Sequence, residues 1–255
     1  MKKKLWIVGV VACSVIFLLS GYMISRTYFD ERKSSAVFEK VVELVKPTPK
    51  ESAASGENTV EPQVTAYEKY RKALTANNDL VGWIFIDGTN INYPVMQTKN
   101  NPNYYLKHSF EKTYSNYGVP YVQEDCNIDL SDNTVIYGHH MKNGTMFSDL
   151  KKFESETFYK QHSTIRFDTL GGYGEYEIVS VFKTVAYSEQ GFQYNRFVNA
   201  SQVTEFDDYV TKCKGLSLYD TGVTAQYGDK LVTLSTCEYS WQDGRLVVVA
   251  KKVSQ

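Results

Sequence analysis

The sequence predicts a mainly antiparallel β domain that closes into a barrel, preceded by helices and by an apolar N-terminal segment. Three observations carry that expectation. Short apolar runs recur between turn signals from about residue 81 onward, the pattern of all-β sandwiches and barrels. The chain holds 20 tyrosines among 255 residues, and aromatic side chains favour strands. Helical spacing is confined to the N-terminal part, one charged surface segment and one late stretch.

Lys2, Lys3 and Lys4 precede Leu5 to Ile24, about 20 uncharged and mostly apolar residues, enough to cross a bilayer core. A cleaved signal peptide competes with this reading. The run is longer than a signal core, however, and no small-x-small site precedes Arg26. As an anchor it leaves residues 1–4 in the cytoplasm and sends the remainder outside, giving a single-pass membrane protein. Arg26, Arg32 and Lys33 on the far side run against that orientation.

Phe29 to Val45 carries apolar residues at Val37, Phe38, Val41, Val42 and Val45, a stripe that predicts a short amphipathic stalk helix. Lys46-Pro47-Thr48-Pro49-Lys50 opens a stretch rich in Pro, Ser, Ala and Glu up to Thr65, which reads as a flexible linker. Stalk and linker thus occupy 25–66, and the folded domain 67–255. Within it, Tyr67 to Leu74 predicts a helix ended by Asn77-Asn78-Asp79. Val81 to Ile86 and Ile91 to Met96 are strands around the Asp87-Gly88 turn. A polar loop over Asn100 to Leu106 leads into a short helix or turn.

Strands are expected over Tyr117 to Val122 and Thr134 to Tyr137, a surface helix over Ser148 to Tyr159, and strands over Thr164 to Phe167 and Glu175 to Lys183. Val203, Phe206, Tyr209, Val210 and Cys213 then recur at three- and four-residue spacing. They predict a long helix with Asn199 or Ser201 as its cap and Gly215 at its end. Leu231 to Leu234 and Leu246 to Ala250 supply the last two strands.

The chemistry collects at strand ends. Cys237 follows one apolar strand, and Asp243-Gly244 marks a turn that returns Arg245 towards it. A cation beside a thiol lowers its pKa and can hold a developing oxyanion. Val135-Ile136-Tyr137 is another apolar run, followed by Gly138, His139, His140 and Met141. Alone, a cysteine at the end of an apolar strand is most often a small buried hydrophobe. With a histidine and an arginine it becomes a nucleophile with a proton partner and an oxyanion donor.

Thr233-Leu234-Ser235-Thr236-Cys237 with Arg245 downstream, preceded by Tyr137-Gly138-His139-His140-Met141, resembles the class B sortases, membrane-anchored cysteine transpeptidases of Gram-positive bacteria. The resemblance runs from about Tyr67 to Val253. It implies a closed barrel of about eight strands with N-terminal helices and a long helix inserted before the penultimate strands. It also implies Cys237 as nucleophile and Arg245 as substrate or oxyanion donor. Side chains alternate across a strand end, so only one of His139 and His140 can face Cys237. The resemblance selects His139, the histidine directly after Gly138.

By the same resemblance, Asn101, Leu106 and Tyr194 border the substrate groove; Tyr137 and Ser235 flank the catalytic pair in sequence, where their hydroxyls can shape the groove, and Glu238 follows the cysteine, where it can orient Arg245 or the incoming amine. An ordinary loop role for Asn101 and Leu106, a packing role for Tyr194 and a solvated carboxylate at Glu238 stay open beside it. The implied reaction cleaves a C-terminal sorting signal of Asn/Ser/Pro-Pro-x-Thr-Asn/Gly type after Thr through a thioacyl intermediate. The acyl group then passes to a peptidoglycan cross-bridge amine or a pilin lysine. Partners would be secreted surface proteins bearing that signal, and no cofactor is implied.

Other classes have less support. A net charge of −1 gives no footprint for nucleic acid. No C-x-x-C or H-E-x-x-H spacing points to zinc, and no acidic cluster matches the calcium loop of class A sortases. Cys13, Cys126 and Cys213 complete the cysteines, with a Cys126–Cys213 bridge open in an exported chain. His108 and His162 sit in polar surroundings and read as exposed. Other cysteine acyl-transfer enzymes place histidine and cysteine differently from the 98 positions between His139 and Cys237. The rival outside enzymology is a membrane-tethered β-barrel whose tyrosine-rich groove binds a ligand without catalysis.

Overall fold

The computed structural model describes residues 2–46, 65–186 and 191–253. The anticipated linker falls almost wholly on 47–64, outside the described residues. The apolar segment and the stalk run as one helix, α1 (Lys2–Leu44), about 65 Å long at 1.5 Å per residue. Within its Ala12–Leu44 part lies a stretch apolar and long enough to cross a membrane, none of it buried in the protein. A membrane anchor and a signal sequence both fit such a helix. The stalk stripe packs on the domain: Val37 and Val41 are buried, and the Phe38 ring meets Tyr93 edge-on at 5.1 Å.

Helix α2 (Ala66–Ala76) starts at a capping box in which Thr65 accepts from Glu68 N and the Glu68 side chain accepts from Thr65 N. Its buried Tyr70 stacks on Trp83 at 5.7 Å and donates to the carboxylate of Asp168 at 2.5 Å. At the other end, Asn77 Nδ2 donates to Tyr105 Oη and to the Phe110 carbonyl. These bonds fasten α2 against the Leu80–Phe85 and Thr164–Thr169 strands and the loop after Met96.

Eight strands form the barrel: β1 (Leu80–Phe85), β2 (Asn92–Met96), β3 (Tyr121–Val122), β4 (Asn133–Tyr137), β5 (Thr164–Thr169), β6 (Glu175–Val185), β7 (Leu231–Cys237) and β8 (Gly244–Lys252). Around the barrel the order is β1-β2-β3-β4-β7-β8-β6-β5. The β2–β3 and β4–β7 pairs are parallel and the others antiparallel. Each of these strands thus has a neighbour on both sides, which removes the open edges of a flat sheet. Ile84, Val95, Val135, Phe167, Phe182 and Leu234 belong to the core inside.

Three local expectations are corrected. The run Tyr117 to Val122 is a strand only at Tyr121–Val122. Gly118 turns left-handed (φ 60°), and Val119 N donates to the Tyr105 carbonyl, so the segment follows the Tyr104–Leu106 turn rather than the sheet. The surface helix breaks at Ser155, which ends a 3-10 turn (Ser148–Glu154) and caps α3 (Glu156–Gln161) by accepting from Phe158 N. Helix α4 (Val203–Leu216) begins after Gln202 with no side-chain cap, and Gly215 lies inside it.

α4 nevertheless buries Phe206, Tyr209, Val210 and Cys213 and packs on β6. Cys126 and Cys213 are free thiols. His108 and His162 are half-buried rather than exposed, because His108 stacks on Tyr104 at 3.8 Å and His162 lies against Phe158.

The Tyr70 hydroxyl is the link most exposed to a one-atom test. Tyr70→Phe keeps the ring stack but leaves the buried Asp168 carboxylate only its longer contacts with Lys69 Nζ at 3.4 Å and Arg166 Nε at 3.9 Å, an expected loss of roughly 1–3 kcal/mol. Denaturant unfolding of the detergent-solubilised chain, read as a lower midpoint at unchanged slope, measures it.

Candidate active site

Parallel neighbours end on the same side of a sheet, and β4 and β7 use that property. Tyr137 pairs with Ser235 as the strands finish. Gly138 N then donates to the Ser235 carbonyl at 3.1 Å, and Thr236 Oγ1 donates to the Gly138 carbonyl at 2.8 Å. His139 and Cys237 therefore leave the barrel together. The Phe147 ring occupies the space beside Gly138, where a Cβ would lie 2.4 Å from it, so only glycine lets this segment pass. Phe147 N in turn donates to the His139 carbonyl.

β7 also pairs with β8, which sets Arg245 directly across from Cys237. The turn between them closes through Asp243 at φ 58° and a bond from Glu238 N to the Gly244 carbonyl. Arg245 Nη1 donates to that same carbonyl at 2.9 Å.

Cys237, His139 and Arg245 line one open cleft of about 530 Å³. His139 Nε2 lies 2.8 Å from the Leu106 carbonyl. A carbonyl only accepts, so Nε2 carries the proton, and in the neutral ring the lone pair is on Nδ1. Burial lowers the His139 pKa below the ordinary 6.5, with Lys107 adding to the effect and the Leu106 bond opposing it. The imidazole is thus neutral near pH 7.

His140 does not line this cleft. Its Nδ1 donates to the Cys237 carbonyl at 2.9 Å. The ring packs on Tyr239 with centroids 5.1 Å apart, and the Tyr239 hydroxyl donates to the His140 carbonyl.

Tyr137, Ser235, Tyr194 and Leu106 line the same cleft, with the Tyr194 hydroxyl 2.6 Å from Ser235 Oγ. Asn101 and Glu238 do not line it. Asn101 is exposed, with its carbonyl accepting from Thr98 Oγ1. Asn103, which takes a left-handed φ of 61° after Pro102, reaches the cleft instead, and its Oδ1 accepts from the Tyr121 hydroxyl. The Glu238 carboxylate binds Ser240 N and Oγ at 2.9 and 2.6 Å and pairs with Lys183 Nζ at 3.5 Å. It braces the turn rather than the groove.

Gln123 went unread in the sequence. It is buried in the cleft wall, where its Oε1 accepts from the Tyr137 hydroxyl and its Nε2 donates to Asp125 and to the Asn195 carbonyl. Nothing in its neighbourhood marks it, because a two-residue strand shows no periodicity.

A thiol, an imidazole and a guanidinium at one barrel end are what acyl transfer through a cysteine requires. A Sortase domain family model matches residues 84–253. The chain is 34% identical over 254 residues to sortase B of Staphylococcus aureus (strain NCTC 8325 / PS 47), covering 98% of this chain and 97% of that protein. It is 31% identical over 247 residues to sortase B of Listeria monocytogenes serovar 1/2a (strain ATCC BAA-679 / EGD-e), covering 94% and 93%. Among solved structures, a Staphylococcus aureus sortase B–substrate complex superposes with a TM-score of 0.74 at 28% identity, over 89% of this chain and 99% of that one. Sortase B from B. anthracis in complex with AAEK1 superposes at 0.72 with 31% identity, over 89% and 100%.

The chain belongs to the sortase family, in its B class. It is a cysteine transpeptidase, which sets aside the non-catalytic binding module.

Two measurements follow from this geometry. Burial pushes the Cys126 and Cys213 thiols up to about 12, whereas Cys237 is half-exposed. A methanethiosulfonate reagent at neutral pH should label Cys237 alone of these three, read by peptide mass. Because the folded pKa of His139 is depressed, the unfolded chain takes up that proton first as pH falls. Stability should therefore drop as pH goes below 6.5. His139→Gln keeps an Nε2 donor without titrating and should flatten that part of a melting-temperature profile.

Proposed function

We propose that this transpeptidase cleaves the sorting signal of secreted proteins after Thr and transfers them to a cell-wall amine, from a domain held outside the cytoplasmic membrane by α1. The observation that carries the reading is the convergence of Cys237, His139 and Arg245 on one cleft. The Cys237 thiol gives its proton to Nδ1 of His139, and the sulfur attacks the Thr carbonyl. Collapse of the tetrahedral adduct expels the downstream amine, which leaves with the proton from His139, and a thioester remains. An incoming amine then attacks the thioester, His139 takes its proton, and the thiolate is reprotonated as product leaves.

Arg245 donates to the oxyanion, which forms twice in this cycle. The wall of Tyr137, Tyr194 and Ser235, its hydroxyls tied to Gln123 and to each other, gives an extended peptide a fixed, tyrosine-rich surface. One solved sortase B carries a substrate and another carries triglycine. Those complexes support a sorting peptide as acyl donor and a peptidyl amine, from a peptidoglycan cross-bridge or a pilin lysine, as acceptor.

The test uses the full chain in detergent with Asn-Pro-x-Thr-Asn, Ser-Pro-x-Thr-Gly and Leu-Pro-x-Thr-Gly peptides, with and without an amine acceptor, followed by intact mass. A Thr-terminated adduct on wild type that is absent from Cys237→Ala is expected, and failure on every peptide would overturn the substrate assignment. Arg245→Lys keeps the charge but loses the planar fork, so turnover should fall on the order of hundredfold or more. A wild-type rate in that variant refutes the role given to Arg245.

A further inference from the structure

The peptide unit that follows the nucleophile is held at both of its polar ends. Glu238 N donates to the Gly244 carbonyl at 2.9 Å, so the N–H of that unit faces β8. In a trans peptide the carbonyl points the opposite way, and the Cys237 oxygen therefore turns towards the chain that leaves β4. The β4 strand has ended at Tyr137, and a side chain takes over from its ladder, with His140 Nδ1 2.9 Å from the Cys237 oxygen. A carbonyl only accepts, so Nδ1 carries a proton, as it does in one neutral tautomer and in the charged ring alike.

His140 is itself fastened to the same turn. Its carbonyl accepts from the Tyr239 hydroxyl at 2.9 Å, its ring lies against the Tyr239 ring, and its main chain bridges to Met146. The 140 side chain thus bonds the main chain at 237 while the 239 side chain bonds the main chain at 140. This reciprocal clasp joins the segments that carry His139 and Cys237. On the other side of the nucleophile, Thr236 Oγ1 holds the Gly138 carbonyl, and Cys237 pairs with Arg245. With the main chain fixed before and after its Cα, Cys237 keeps only χ1 to aim the sulfur. The Gly244 carbonyl also accepts from Arg245 Nη1, so a run of hydrogen bonds leads from His140 through the 237–238 peptide to Arg245.

We propose that His140 is a positioning residue for acyl transfer, holding the Cys237 carbonyl so that the thiol and Arg245 keep the relative placement the reaction needs. It acts through Cys237, because its own side chain does not line the cleft. This role rests on Cys237 as the nucleophile of the proposed function. Misplacing a reacting group by about 1 Å costs on the order of hundredfold in rate. Such a loss falls on kcat and leaves KM in place.

The test compares two variants in the full chain in detergent. His140→Phe keeps a ring against Tyr239 but has no donor, and His140→Asn offers Nδ2 in place of Nδ1. Hydrogen exchange is read on the resting enzyme, and steady-state turnover on the three sorting peptides. His140→Phe should speed exchange over residues 238–244 while β6 exchanges as before, which shows the fold intact. Its kcat should fall on the order of ten- to hundredfold at unchanged KM. His140→Asn should exchange like wild type and keep kcat within about threefold of it. Unchanged exchange or unchanged kcat in His140→Phe overturns the role. A His140→Asn as slow as His140→Phe overturns it as well, since the ring and not its donor would then matter. A raised KM at unchanged kcat makes His140 a substrate contact and also overturns it. Faster exchange over 238–244 with no peptide cleaved even by wild type removes the sorting-signal assignment and leaves the clasp standing.

Discussion

The parallel pairing of β4 with β7 is the constraint on which the site depends. It is pinned at both ends by side chains as well as by the ladder. At the start, Asn133 Oδ1 accepts from Thr233 Oγ1 at 2.8 Å while its Nδ2 donates to the Phe197 carbonyl. At the finish, Gly138, Ser235 and Thr236 exchange the bonds that carry His139 and Cys237 out side by side. Such buried polar partners fix register, because a slip by one residue would leave them unsatisfied and turn every side chain to the wrong face. A slipped β7 would present Thr236 where Cys237 now stands.

Around that pair the two histidines divide the work by alternation. His139 faces the cleft and His140 holds the Cys237 carbonyl. The helix α1 also reaches this region. Phe38 packs on Tyr93, the Tyr93 hydroxyl accepts from Met146 N, and Met146 bridges back to His140. The N-terminal helix and the loop after the histidines are thus parts of one packed unit.

What could be read in advance was whatever chain-local chemistry encodes. The Asp243-Gly244 signal was enough to bring Arg245 back near Cys237, while their direct pairing across a seven-residue connection is set by the β7–β8 ladder. Apolar alternation found most strands and the α4 stripe found its buried face. Several of the failures share one cause, which is that a tertiary partner overrides the local pattern. Gly118 leaves the sheet to meet the Tyr105 carbonyl, and Glu238 is captured by Ser240 and Lys183. Gln123 and Asn103 matter through partners distant in sequence, and no single-sequence signal announces such pairs. The choice between His139 and His140 came from resemblance, because alternation says only that they differ.

The barrel order has a further consequence in time. β7 sits between β4 and β8, and β8 reaches across to β6, so the cylinder stays open until the last strands join it. Contacts of long sequence separation form late and slowly, because the loop between them must first be closed. As the chain is made from its N-terminus, His139 is present long before Cys237 has a neighbour. Cys237 and Arg245, on the last two strands, are thus the last of the cleft's three groups to be delivered.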